Sequence, residues 1–225
     1  MPVDPHAPVE VTGYSWVPDF ARGHVRDFRV RWALEEAGIP YRTRLLNPAH
    51  PRPADYYAEQ PFGQVPAYRD DQVQLFESGA IVLHIARDCD TLLPADPAAR
   101  ARAVAWVVAA LNSVEPMLGE LSTIDLFCAG EQWAAMRRPA AVAAIERRLS
   151  QLSDALGDRD YLEGRFTAGD LMMASVLRAL EHTDLLSATP NLAAYQQRCL
   201  SRPGFRAALA AQLADFTEPA PSNFT

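Results

Sequence analysis

The sequence predicts an α/β region followed by an all-α region, within a chain of 225 residues. Before about residue 95, short runs with strand-like alternation are interleaved with helix-like spacing, in the order βαβαββα. After that point every regular segment has the apolar spacing of a helix. The stretch 91–97 contains two prolines and is typical of a linker. We therefore predict domains at 1–90 and 98–225, joined by a linker at 91–97.

Each element of the first region follows from its own pattern. The predicted strands cover residues 10–14, 41–45, 65–68 and 73–76, and the predicted helices cover 26–37, 53–59 and 78–86. Gly38 follows the first helix as a C-terminal stop, because glycine adopts the left-handed conformation that ends many helices. Residues 69–72 join the last two strands as a hairpin turn.

The second region is predicted to contain helices only. They cover residues 98–121, 132–156, 170–181, 190–200 and 203–213. The last two open with proline, which is favoured in a first helical turn. The tail after Phe216 has no periodicity, so we expect it to be loose or to lie on the surface.

Composition and spacing exclude several classes of function. The chain has 28 acidic and 21 basic residues, and no basic stripe that would bind nucleic acid. All the basic residues are arginine, so a lysine Schiff base is impossible. No apolar run reaches the roughly 20 residues that span a membrane, and no signal-peptide pattern opens the chain. The three cysteines and five histidines lack disulfide or metal-site spacing. We expect a cytoplasmic protein with no metal, membrane or nucleic-acid partner.

The first informative motif is Gln64-Val65-Pro66, where a loop leads into a strand. Proline is tolerated at the first residue of a strand, and an ordinary strand start is one interpretation. The alternative is a cis peptide bond before Pro66, with the backbone of Val65 open to pair with a ligand as an added strand would.

The second motif is Glu77-Ser78-Gly79, between the hairpin and the next helix. Ser78 stands at a helix start, where unpaired N–H groups and the helix dipole attract a carboxylate, and Glu77 can accept from an ammonium group. Together they complement an amino-acid head group, although plain helix capping is the alternative.

A third motif, Thr167-Ala168-Gly169-Asp170, is a capping box before an apolar run. Its predicted role is structural, as the start of a buried helix.

These motifs, in this order, resemble the cytosolic glutathione S-transferase superfamily, bacterial type. The helix at 29–37 with Gly38-Ile39-Pro40-Tyr41 is similar to that family's first helix and second strand. The segment 60–66 resembles its cis-proline loop, and Glu77-Ser78-Gly79-Ala80-Ile81 resembles its γ-glutamyl site. The resemblance spans residues 9–213.

The resemblance implies a thioredoxin-like N-terminal domain that binds glutathione and a helical C-terminal domain that supplies most of the electrophile pocket. It implies a cytosolic homodimer whose partners are glutathione and a small hydrophobic electrophile. Glu77 and Ser78 would hold the γ-glutamyl end, Val65 the cysteinyl backbone, and Gln64 would lie near the glycine carboxylate, with Pro66 as the cis-proline. Apolar side chains of the second domain are candidates for the pocket: Trp106, Leu111, Met117, Phe127, Trp133 and Met173.

The residue that would activate the glutathione thiol departs from the family pattern. The usual Ser or Cys position falls at Gly23-His24-Val25, which holds neither a hydroxyl nor a thiol. Tyr14 or Ser15 can supply a hydroxyl, and His24 can donate a hydrogen bond and a charge.

Charge at the helix start offers a further route to a stabilised thiolate, through Arg22 or Arg26. With no cysteine before Cys89, the thiol-exchange branches of the family are disfavoured.

Two classes of function remain open on this sequence. The first is an enzyme that activates the glutathione thiol for attack on small hydrophobic electrophiles, with an isomerase or dehalogenase as a variant of the same site. The second is a non-catalytic binding or assembly module, which the unfilled catalytic position favours. A weaker third is a carrier that uses the helical pocket alone.

Overall fold

The computed structural model describes residues 3–220. Contacts divide this part of the chain into two compact units. The first holds the residues up to Leu92 together with those from Arg202 onward, and the second holds Leu93–Ser201. The last helix belongs to the first unit because it packs against that unit. These units are compact regions and not sequence domains, so the predicted domain boundaries at residues 90 and 98 stay a prediction.

The first unit is built on a mixed four-stranded sheet, as predicted. Its strands are β1 (Val9–Tyr14), β2 (Tyr41–Leu46), β3 (Ala67–Arg69) and β4 (Gln74–Phe76). The order is β2-β1-β3-β4, with β1 parallel to β2 and antiparallel to β3, and β3 antiparallel to β4. Its helices are α1 (Asp27–Ala37), α2 (Tyr56–Glu59) and α3 (Ser78–Ala86). The predicted order βαβαββα is confirmed.

Helix α1 ends where the sequence predicts. Gly38 lies in the left-handed region, with a φ of 66°. Its N–H donates to the carbonyl oxygens of Glu35 and Leu34, which satisfies groups that the helix end would leave unpaired. The chain is thereby free to turn and enter β2 beside β1.

A buried ionic network joins α1 to the last helix, α9 (Pro203–Asp215). The Arg31 guanidinium lies 2.7 Å from the carboxylates of both Asp27 and Asp215, and Gln212 donates to Asp27 at 2.7 Å. Burial raises the pKa of the Asp27 carboxyl, which outweighs the opposing effect of Arg31. Gly13 of β1 makes room for this network, because a Cβ there would lie 2.9 Å from the Arg31 Nη2.

The second unit is helical in the part that the structure describes. It contains α4 (Pro97–Ala109), α5 (Glu115–Ser122), α6 (Gln132–Leu156), α7 (Ala168–Leu177) and α8 (Pro190–Leu200). The predicted capping box starts α7, and Cys199 lies buried in α8.

The predicted helix at 98–121 is wrong as a single element. It is divided by a π-helical segment at Ala110–Val114, and a second one follows α5 at Thr123–Phe127. Pro116, in the first turn of α5, contributes to the first of these breaks, because it has no N–H to donate to the preceding turn. The predicted helix at 170–181 is likewise shorter, since it tightens to a 3₁₀ turn at Arg178–Leu180.

Helix α7 is the core of the second unit, and it packs closely on α4. Nine of its ten residues are buried, which explains its apolar sequence. A Cβ at Gly169 would lie 2.5 Å from the Cβ of Trp106, so glycine permits the close approach of the two helices.

Within residues 3–220, no helix is long and apolar enough to cross a membrane. The same residues contain no group of three or more histidine, cysteine, aspartate or glutamate side chains placed to hold a metal ion.

Candidate functional site

The loop before β3 presents an unpaired backbone at Val65. The Val65–Pro66 peptide bond is cis, as one of the two sequence interpretations has it. Among the described residues, no hydrogen bond reaches the N–H or the C=O of Val65. The surrounding loop is well satisfied, since the Gln60 side chain accepts from the N–H groups of Phe62 and Gln64 at 2.7 and 3.2 Å. Tyr56 donates to the Gln64 carbonyl at 2.6 Å. A rigid frame therefore holds two free backbone groups at one residue.

The start of α3 is also left open. Glu77 has a φ of 69°, a conformation that is strained for a residue with a Cβ, and its side chain is exposed. Its carboxylate does not cap the helix. Within residues 3–220 the N–H groups of Ser78 and Gly79 have no hydrogen-bond partner. Strain of this kind persists where the surrounding structure imposes it, and it is frequent at ligand sites.

A buried arginine lies behind this helix start. The Arg29 Nη1 of α1 donates to the Ser78 hydroxyl at 3.4 Å, and Ser78 is 5% exposed. The positive charge of Arg29 adds to the positive end of the α3 dipole. The combination of unpaired N–H groups, a hydroxyl and a nearby cation favours a carboxylate, while the exposed Glu77 favours an ammonium group.

The hairpin that leads into α3 is tied to that helix by one carboxylate. Asp70 accepts from the N–H groups of Gln72 and Val73 within its turn, both at 2.8 Å. It also accepts from the Tyr68 hydroxyl at 2.9 Å and contacts His84 of α3 at 2.8 Å. Burial raises the pKa of Asp70, but the hydrogen bonds from His84 and the turn lower it more, and the pKa lies well below its usual range.

Tyr14 is the candidate hydroxyl that packs against the cluster containing Val65. That buried cluster is formed by Leu46, Tyr56, Val65 and Ala67. Arg52 donates to its hydroxyl oxygen at 3.1 Å, and the guanidinium lies 5.1 Å from the ring centroid. The O–H proton of Tyr14 is used by no acceptor among residues 3–220, so it is available to a ligand.

Ser15 is placed differently. It is 3% exposed, and its hydroxyl donates to the Leu46 carbonyl at 3.4 Å. Its backbone carbonyl accepts from the N–H of Glu218, so the described part of the predicted loose tail lies against the end of β1. A hydroxyl that already has an acceptor and little exposure is the weaker candidate for a thiol.

The cations before α1 are exposed. His24 lies in the turn that precedes the helix, and its N–H donates to the Ala21 carbonyl at 3.0 Å. Arg22 pairs with Asp19 at 3.8 Å and lies over the Phe216 ring. Arg26 stands at the N-cap of α1 and makes no side-chain cap.

Four of the six apolar candidates of the second unit fall into two groups, and the other two, Leu111 and Met117, are partly buried and line no described cavity. Trp106 and Met173 line one small cavity. Phe127 and Trp133 are instead 66% and 49% exposed, and neither lines that cavity. The apolar pattern alone does not distinguish the two groups.

Sequence reasoning missed Arg29 and Arg52. Arg29 lies on the helical face that the apolar pattern assigns to the core, where a charged residue is unusual. Arg52 lies between Pro51 and Pro53, in a segment with no periodicity. No local signal identified either residue.

Comparison with known proteins identifies relatives of this chain. The family model for the N-terminal domain of glutathione S-transferase matches residues 20–87. A glutathione S-transferase of Hyoscyamus muticus is 30% identical over 198 residues, which cover 80% of this chain and 91% of the relative. The maleylacetoacetate isomerase of Rhizobium meliloti strain 1021 is 32% identical over 197 residues, covering 80% and 89%.

Solved structures give the same fold. The crystal structure of a glutathione transferase from Burkholderia graminis, with two glutathione molecules bound per subunit, superposes with a TM-score of 0.78. It is 24% identical and covers 90% of this chain and 88% of its own. The open helix start, the cis-proline loop and these relatives lead to one conclusion: the chain belongs to the glutathione S-transferase family.

Proposed function

We propose that this protein is a glutathione transferase that binds glutathione in its first unit and uses Tyr14 to stabilise the thiolate. The observation that supports this most is the pair of open backbone sites, at Val65 and at the start of α3. In the proposed complex the Val65 backbone pairs with the cysteinyl residue. Ser78 and the α3 N–H groups hold the γ-glutamyl carboxylate, and Glu77 holds its ammonium group. Gln64, which is exposed, is assigned to the glycine carboxylate.

The proposed chemistry needs one hydrogen bond to sulfur. The thiol gives its proton to solvent, and the Tyr14 O–H donates to the thiolate, which favours the ionised form near neutral pH. The thiolate sulfur then forms a bond to the electrophilic carbon, and the leaving group departs with the bonding electrons. Arg52, which donates to the oxygen of Tyr14, orients the hydroxyl and makes it a better donor.

The family resemblance supports two further parts of the proposal, a homodimer in the cytoplasm and a small hydrophobic electrophile. Light scattering on the purified protein measures the number of subunits, and fractionation of cells measures the location. A panel of electrophiles that differ in leaving group measures the second.

A second candidate is a glutathione-dependent isomerase at the same site, supported by the similarity to the Rhizobium meliloti isomerase. The two reactions differ in stoichiometry. A transferase consumes one glutathione for each product, whereas an isomerase regenerates it. Free thiol measured during turnover therefore separates them.

The proposal is tested by calorimetry with glutathione and by ultraviolet titration of the thiolate in the complex. We expect Tyr14→Phe to raise the thiol pKa in the complex and to lower kcat by about 100-fold, with the glutathione Kd within about twofold of the parent. Ser15→Ala and His24→Ala are the matched controls, and we expect each to change kcat by less than about threefold.

Each part of the proposal has its own contrary result. No binding at millimolar glutathione would end the glutathione assignment. Binding with an ordinary thiol pKa would favour the non-catalytic module. A larger effect of Ser15→Ala or His24→Ala than of Tyr14→Phe would move the catalytic role to that residue.

A further inference from the structure

The loop between β1 and α1, residues 15–26, is contacted by the other end of the chain. The contacts come from the last turn of α9 and the residues that follow it, 212–218, which we call the C-terminal segment. Both stretches belong to the first unit. Within the loop, the N–H groups of Ala21, Arg22 and His24 each donate to the carbonyl three residues earlier. Such turns set the local shape of the loop, and contacts from outside it contribute to where it lies.

The first contact is made by Gln212, a buried side chain that is 1% exposed. Its amide Nε2 donates to the Val25 carbonyl at 3.1 Å and to the Asp27 carboxylate at 2.7 Å. One amide group therefore joins the end of the loop to the first turn of α1. The Val25 side chain packs, as Tyr14 does, against the cluster that contains Val65. Gln212 thus holds the backbone of a residue that supports the cis-proline loop.

The second contact lies at the opposite end of the loop. The N–H of Glu218 donates to the carbonyl of Ser15 at 3.2 Å, and Ser15 follows Tyr14 directly in the chain. The N–H of Ser15 donates to the Leu46 carbonyl at 3.1 Å, so both backbone groups of this residue are fixed. The Glu218 carboxylate also accepts from the side chain of Asn47. The backbone next to the proposed catalytic hydroxyl is thereby tied to the C-terminal segment.

A third contact lies between these two. The Arg22 guanidinium is 5.4 Å from the centre of the Phe216 ring. The partners fall in opposite order along the two stretches, since residues 212, 216 and 218 contact residues 25, 22 and 15. The C-terminal segment therefore follows the loop from the start of α1 to the end of β1, and it holds the backbone at both ends.

We propose that the C-terminal segment positions the loop, and with it Tyr14, at the glutathione site. The positioning groups are the Gln212 side chain and the backbone N–H of Glu218. This inference rests on the proposed function, because it concerns where the Tyr14 hydroxyl lies relative to the sulfur. Neither group is assigned a contact with the substrate, and both act through the loop. Their effect is geometric, and a displacement of about 1 Å in a reacting group costs on the order of 100-fold in rate.

Stabilisation of the fold alone is the competing interpretation. It accounts for the contacts between α9 and α1, since the Arg31 guanidinium lies 2.7 Å from the carboxylates of both Asp27 and Asp215. The two interpretations differ in what they predict. Stability requires only that a variant unfold more easily, whereas positioning requires that the thiol of bound glutathione change in a protein that is still folded.

The first test measures amide hydrogen exchange in the absence of glutathione. Glu218→Pro removes the N–H that donates to Ser15, and we expect exchange over residues 15–25 to accelerate about fivefold. Ala220→Pro is the matched control, because it places proline in the same exposed stretch at an N–H with no partner among residues 3–220. We expect that control to leave the exchange within about twofold of the parent.

The second test measures the reaction. We expect Glu218→Pro to lower kcat about fivefold and to raise the thiol pKa in the complex, with the glutathione Kd within about twofold of the parent. Gln212→Leu keeps the approximate size of the buried side chain and removes its donor. We expect it to lower kcat about tenfold, with thermal unfolding as the check on folding. Ala220→Pro is expected to match the parent in kcat and in the thiol pKa.

Three results would overturn the inference. The first is unchanged exchange in Glu218→Pro, and the second is an equal effect of Glu218→Pro and Ala220→Pro. The third is faster exchange with an unchanged kcat and thiol pKa, because the segment would then hold the loop without positioning the hydroxyl.

Failure of the proposed function gives a different pattern. A parent that does not bind glutathione, or whose kcat is unaffected by Tyr14→Phe, would end that function and with it the positioning of Tyr14. The exchange measurement contains no glutathione, so it would still decide whether the C-terminal segment holds the loop.

Discussion

Two helices of this protein, α7 and α3, each have a hydroxyl residue and an acid at the N-terminal end. The two ends differ in whether their first N–H groups are paired. At the start of α7, Thr167 and Asp170 form a closed capping box within the core. At the start of α3, Glu77 and Ser78 leave the first N–H groups unpaired, and Glu77 holds a strained backbone with its carboxylate exposed.

The two starts differ in what their acids bind. Asp170 is fully buried and accepts from Leu162, Thr167 and Tyr195 of its own unit. Glu77 contributes no cap, so the positive end of the α3 dipole stays available. A helix start that satisfies itself stabilises the fold, whereas one that is left open and strained is suited to a ligand. The predictions below test that contrast.

The largest effect is expected at the closed start. Asp170→Ala would leave at least three buried donors without an acceptor, and each such donor costs about 1–3 kcal/mol. We expect the free energy of unfolding to fall by about 3 kcal/mol or more, measured by urea denaturation. Tyr195→Phe, which removes one 3.1 Å hydrogen bond to Asp170, is the graded control and should cost about 1 kcal/mol. A loss below about 1 kcal/mol for Asp170→Ala would show that the box adds little.

At the open start of α3, we expect one substitution to stabilise the fold and to weaken glutathione binding. Glu77→Gly relieves the positive φ and removes the carboxylate. We expect the free energy of unfolding to rise by about 1 kcal/mol and the glutathione Kd to rise about tenfold.

Glu77→Gln separates the two effects, because it keeps a side chain at the strained position and removes only the charge. Its stability should match the parent, and its glutathione affinity should fall like that of Glu77→Gly. If Glu77→Gly binds glutathione as well as the parent does, then the strained position holds no ligand contact.

The smallest effect is expected at the hairpin that positions the open start. Asp70→Asn weakens the contacts to His84 and to the turn, and we expect it to cost about 1 kcal/mol at pH 7. The folded-state pKa of Asp70 is lowered, so its ionised form stabilises the fold above the unfolded pKa of about 3.9. That stabilisation is lost as the pH falls through the folded-state pKa.

The difference in unfolding free energy between parent and Asp70→Asn should therefore shrink below about pH 4. Denaturant unfolding at a series of pH values measures it. A difference that stays constant down to pH 2 would assign the effect to packing instead of charge.

Most of the fold was predictable from the sequence, because it depends on local pattern. Strand alternation, helical spacing and the glycine stop at Gly38 each act within a few residues. The exception shows the limit of such patterns. Residues 98–121 have continuous helical spacing, and the effect of Pro116 on the turns before it was not recognised.

The candidate site was predictable where its residues are adjacent in sequence. Gln64-Val65-Pro66 and Glu77-Ser78 each form one local motif. Arg29 and Arg52 were not predicted, because each acts on a residue that is distant in the chain, Ser78 and Tyr14 respectively. The choice between Tyr14 and Ser15 also depended on distant partners, since both end the same strand and only their contacts differ.

The sequence by itself determined the order of strands and helices, the glycine and proline stops, the capping box and the resemblance to a family. These depend on backbone preference and on short-range hydrogen bonds. Tertiary structure alone decided that the α3 start stays open while the α7 start is closed, and that Arg29 lies behind Ser78. The reason is physical: whether a polar group is satisfied depends on which other groups folding brings within hydrogen-bonding distance.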